Sequence, residues 1–112
     1  MMQSIIREIN MKPISDIRIL NAFVAVAREG NVSRAAEKLH LTQPAVSLQL
    51  KRLAEDTGLT LFNRTAKGVE LTRDGAALVA KAEKVQSALD EFGQTARRIN
   101  GDVRGTLRLG TI

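Results

Sequence analysis

Five side chains have the types and spacing to bind a polyanion. Gln43, Ser47 and Lys51 recur every four residues, so on a helix they line one side with amide, hydroxyl and ammonium donors. Arg64 and Lys67 follow in a polar stretch closed by Gly68, and both are long enough to reach phosphate. Covalent or metal chemistry has no comparable set. The 112 residues hold no Cys and one His, which excludes thiolate nucleophiles, disulfides and multi-histidine metal sites. Ser47 has no histidine placed to activate it. Paired carboxylates and a phosphate-cradling glycine loop are also missing, so an enzyme is not expected.

The charge agrees with that reading. Lys and Arg number 17 against 12 Asp and Glu, a formal +5. Residues 30–73 hold seven basic and four acidic side chains, a net +3, so the surplus sits with the candidate donors. A composition 44% hydrophobic and 26% charged predicts a folded globular chain. The longest apolar run, Ala22 to Ala27, is too short to cross a bilayer or act as a secretory core, so a soluble cytoplasmic protein without membrane attachment is expected.

Those side chains need a scaffold. Residues 1–14 read as an N-terminal extension. Ser15 then reads as a helix cap, with Asp16 in the first turn and an apolar stripe of Ile17, Leu20, Val24 and Ala27 beside Phe23, ended by Gly30. A short helix over 32–39 turns Ala35, Ala36 and Leu39 inward, and His40 caps its C-terminal end. Thr42 caps a third helix, about 43–57, with Pro44 in its first turn. Val46, Leu50, Leu53 and Thr57 face in, while Pro44, Leu48, Lys51 and Glu55 face out. Thr60–Phe62 and Val69–Leu71 read as a hairpin around the basic loop 63–68. Arg64 has two competing roles there: reaching the polyanion, or pairing with Glu70 or Asp74 to hold the hairpin.

Thr72 caps a last helix, about 73–99, in which Leu78, Ala82, Val85, Leu89, Phe92, Ala96 and Ile99 recur at alternating steps of four and three. This heptad seam predicts a dimer interface with a second copy, the alternative being that it packs on its own domain. Arg97 and Arg98 read as complements to the dipole at its end. Residues 101–112 read as a hinge followed by the first strand of a missing domain. The expected domains are thus 1–14, 15–72, 73–100 and 101–112.

Two short helices joined by a tight turn and followed by a basic hairpin describe a winged helix-turn-helix, so the expected fold is mainly α, with a long linker helix after the wing. Residues 16–75 resemble the DNA-binding domain of LysR-type bacterial transcriptional regulators. The matching stretches are Phe23–Ala27 with Glu29–Gly30, Ser33–His40, Thr42–Ser47, Leu61–Thr65 and Leu71–Gly75, in family order. The resemblance implies base or backbone contacts by Gln43, Pro44 and Ser47, a minor-groove contact by Lys67, and phosphate contacts by Ser33, Arg34, Thr42 and Arg64. It also implies a homodimer through the linker helix, a dimer of dimers on promoter DNA, and a small-molecule effector bound by a C-terminal domain; the fragment itself needs no cofactor. Leu48 departs from the family, which often has arginine there; it offers thymine a methyl contact in place of a donor to guanine. Asn31-Val32 replaces a more usual Ser-Phe pair. The competing reading is a dimerisation or adaptor module built on the heptad helix, favoured if the chain fails to bind mixed DNA at low salt.

Overall fold

The computed structural model describes residues 16–111, with side chains as far as residue 101. The extension 1–14, Ser15 and Ile112 lie outside the described residues. The element order is α1 (Ile17–Glu29), α2 (Val32–Leu39), α3 (Gln43–Thr57), β1 (Phe62–Thr65), β2 (Gly68–Leu71) and α4 (Arg73–Thr111). The chain divides into two compact units after Ala82, and α4 contributes to both.

Side-chain caps set the start of each helix. Asp16, not Ser15, caps α1: its carboxylate accepts from the Arg18 amide at 3.0 Å and from the Arg18 guanidinium at 2.8 Å. Those Arg18 hydrogen bonds hold the Asp16 carboxyl below its ordinary pKa and raise that of Arg18. Asn31 caps α2 by accepting from the Arg34 amide at 2.9 Å, and Thr42 caps α3 by accepting from the Ala45 amide at 3.3 Å. Thr72 caps α4 through the Gly75 amide at 2.9 Å, while its own hydroxyl donates to the Thr60 carbonyl at 2.7 Å. The helices stop where the backbone turns left-handed. Gly30 and Gly58 do this without a Cβ, and His40, at φ 58°, ends α2 as expected, its amide donating to the Glu37 carbonyl at 3.1 Å.

Two apolar clusters share α1. One joins Ala22 and Val26 to Ala35 and Ala36 of α2 and Val46 of α3. The other joins Ile19, Phe23 and Val24 to Leu53, Leu61 and Ala82. Phe62 meets Phe23 edge to face, with ring centroids 5.6 Å apart. The buried residues of α1 are therefore Ile19, Ala22, Phe23, Val24 and Val26, whereas the expected stripe residues Ile17, Leu20 and Ala27 are only half-buried. The cause is the apolar run Ala22–Ala27, which widens the apolar face of α1: Ile19, Ala22, Phe23 and Val26 share its most buried side, and the expected stripe, apart from Val24, falls on the half-buried flank.

The hairpin is tighter than expected. Asn63, Arg64 and Thr65 belong to β1, paired antiparallel with Glu70, Val69 and Gly68, leaving Ala66 and Lys67 as a two-residue turn. Polar side chains do not prevent the ladder, because only the backbone makes it. The wing is fastened to α1 by the Val69 amide, which donates to the Gly30 carbonyl at 3.0 Å. Gly68, at φ 147°, permits this approach: a Cβ there would run into the Gly30 carbonyl oxygen.

The largest departure is at the C-terminal end. Residues 101–111 are helical, not a hinge and strand, and α4 is 39 residues long. Glycine inside a helix costs about 1 kcal/mol, which weakens a helix without ending it. A strand over 106–112 would need a partner for its backbone groups, whereas a helix pairs them within the segment. Arg97 and Arg98 therefore sit inside α4 and do not complement its end.

Candidate nucleic-acid interface

α3 is anchored by Val46 and Leu53, both essentially inaccessible, with Leu50 and Thr57 half-buried beside them. Gln43, Pro44, Ser47, Leu48, Lys51 and Glu55 are all exposed, as the helical spacing requires. A concavity of about 540 Å³ lies between this helix and the wing, and Ser33, Gln43, Ser47, Lys51 and Arg64 all line it. Five of the expected contact residues, from α2, α3 and β1, thus share one open groove.

The others are distributed around it. Arg34, Thr42, Pro44, Leu48 and Lys67 are exposed but do not line the groove. Lys67 occupies the wing turn, at the far end of the hairpin from Phe62 and Leu71. Thr42 spends an acceptor lone pair on its cap and keeps a hydroxyl hydrogen to donate. Ser33 plays no part in capping, because Asn31 takes that role. Arg64 forms no ion pair with Glu70 or Asp74; among the described residues, neither it nor Lys51 or Lys67 is paired with a carboxylate. All three ammonium and guanidinium groups therefore remain available to an external anion.

Two groove residues escaped the sequence reading. Asn31 and Asn63 also line the concavity and add amide donors beside Ser33 and Arg64. Asn63 was legible only once β1 was known to begin at Phe62, since a residue of a loop has no fixed face.

α4 treats its heptad residues unequally. Ala82 is buried in the cluster of Ile19, Phe23 and Leu53 and Leu78 packs half-buried against it, so both serve the core of their own domain, and Ala82 is closed to a second copy. Val85, Leu89, Phe92, Ala96 and Ile99 are exposed, with Phe92 reaching 74% and Ile99 62%. Among the described residues no helix is long and apolar enough to cross a membrane, and no three acidic or histidine side chains cluster as metal ligands.

A helix pair with a short turn, a donor-bearing second helix and a two-stranded wing define a winged helix-turn-helix protein. Residues 17–76 match the bacterial regulatory helix-turn-helix protein, lysR family, and the chain belongs to that family. It is 44% identical over 96 residues to an uncharacterised HTH-type transcriptional regulator from Azotobacter vinelandii, covering 86% of this chain and 67% of that one. It is also 41% identical over 93 residues to the RuBisCO operon transcriptional regulator of Allochromatium vinosum, covering 83% of this chain but 31% of the relative. Among solved structures, the CbnR DBD–DNA complex superimposes with a TM-score of 0.70 at 34% identity, covering 77% of this chain and 99% of that one.

Proposed function

We infer that this chain is the DNA-reading part of a bacterial transcriptional regulator, with α3 in the major groove and the wing against the backbone and minor groove. The observation that carries this is the shared groove: the donors of α3 and the Arg64 guanidinium of the wing line one opening, and among the described residues no carboxylate is paired with Lys51 or Arg64. Gln43 and Ser47 present hydrogen-bonding groups to base edges, and Lys51 lies four residues further along the same side. Ser33, Arg34, Thr42 and Arg64 are placed to take phosphate oxygens and so set the register of α3. Lys67 extends the contact from the wing turn. Val85, Leu89, Phe92, Ala96 and Ile99 give the distal part of α4 an apolar stripe that a second copy would cover, so the DNA-bound unit is a dimer or a dimer of dimers. A small-molecule effector bound outside these 112 residues completes the reading.

Selection of duplexes from a random pool, followed by anisotropy titrations across salt, tests it. Lys67→Ala lowers the slope of log affinity against log salt by about 0.9 on all duplexes. Gln43→Ala costs about 1–3 kcal/mol on the selected duplex and little on mixed DNA. If both variants bind like the parent, the recognition scheme fails.

A further inference from the structure

α3 carries two exposed strips side by side. Gln43, Ser47 and Lys51 form the polar strip that lines the groove. One residue on, about 100° further round the helix, Pro44 and Leu48 repeat the same four-residue spacing with apolar groups. Leu48 is 47% exposed and lies outside the groove lining, while Val46, Leu50 and Leu53 hold the opposite side of the helix in the core. The core therefore has no use for Leu48, and an apolar side chain here is without an explanation inside its own domain.

Its place indicates what covers it. Leu48 follows Ser47 by one residue, a rise of about 1.5 Å, so both address the same or neighbouring base steps once α3 enters a major groove. Lys51 and Arg52 follow on the exposed side of the helix and favour a polyanion as the covering surface. The methyl group that duplex DNA displays in its major groove is the C5-methyl of thymine. We propose that Leu48 is a specificity residue that packs its δ-methyl groups on a thymine C5-methyl, at or next to the base pair addressed by Gln43 and Ser47. This rests on the DNA-reading assignment above and deepens it. The chain thereby selects a T·A pair by apolar contact at a point where an arginine would select guanine by hydrogen bonds. Because 5-methylcytosine carries its methyl at the same position, Leu48 accepts a methylated C·G pair better than an unmethylated one.

Uracil tests the contact cleanly, since dT→dU deletes the methyl and leaves every hydrogen-bonding group in place. The full 112-residue chain and its Leu48→Ala variant are titrated against the duplex selected from a random pool, with each thymine replaced singly by uracil. Leu48 is exposed and alanine is a strong helix former, so the variant keeps the fold, which a thermal melt verifies. The expected result is one thymine whose replacement weakens parent binding about fourfold, the worth of one buried methyl group, with no effect on Leu48→Ala. A parent that selects a sequence yet is indifferent to uracil at every position overturns the thymine contact and leaves the DNA-reading assignment standing. So does a uracil effect of equal size in Leu48→Ala. A variant that binds DNA like the parent but loses self-association in sedimentation assigns Leu48 to a protein interface, and also overturns it. Failure of the parent to select any sequence brings down both.

Discussion

The first two positions of the α4 repeat and the remaining five follow one spacing and meet opposite fates. Leu78 and Ala82 are packed into the cluster around Phe23 and Leu53, whereas Val85, Leu89, Phe92, Ala96 and Ile99 remain exposed. A heptad pattern specifies a face. Which surface covers that face depends on what the rest of the chain has already folded beside it. The seam is thus partly a domain core and partly an open apolar stripe, with the change falling between Ala82 and Val85.

Two substitutions probe this division, and a third probes the cap of α1 in the packed unit. Leu53→Ala removes a side chain that is 1% exposed from the cluster shared with Ala82, and is expected to destabilise the domain by about 2–5 kcal/mol in urea unfolding. If the loss is much smaller, the packed half of the contrast is weaker than its burial implies. Leu89→Asp acts on the open half. It is expected to weaken dimerisation at least roughly a hundredfold in sedimentation, since two carboxylates would enter one apolar interface, and to leave the unfolding of residues 16–82 nearly unchanged. A dimer that survives this change would place the interface elsewhere. The smallest effect concerns the cap of α1. Asp16 has its pKa depressed, so its stabilising contribution is in place above the ordinary carboxylate value and fades as pH falls through the folded value. Melting temperatures of the parent and Asp16→Asn should therefore differ near neutral pH and converge on acidification. A gap unchanged between about pH 7 and pH 2 would mean that the charge on Asp16 contributes nothing.

Most of α2 and α3 was legible because their signals are local. A cap, a period and a left-handed stop lie within one stretch of chain, and Thr42, His40 and Gly58 each act on a neighbour a few residues away, although the Asn31 cap of α2 went unread in favour of Ser33. The exposed side of α3 was legible for the same reason. What escaped depends on distant partners. The buried residues of α1 are chosen by the elements packed against it, so the first stripe missed Ile19, Ala22 and Val26. Asn31 and Asn63 join the groove only because the wing returns beside α2 and α3. Residues 101–111 were misjudged because alternation in a short segment shows a preference for strand without supplying the neighbour that a strand needs.

The contact of Gly68 with Gly30 has a further consequence. The wing is joined to α1 through the Val69 amide and the Gly30 carbonyl, main chain to main chain, at a place too narrow for a Cβ on residue 68. That junction acts as the fixed jaw of a caliper whose other jaw is α3. Under the proposed reading, exchanging the side chains at 43, 47 or 48 would change which letters are accepted under α3 without touching this main-chain junction. A family of such heads would vary in vocabulary while keeping the same stride along the duplex.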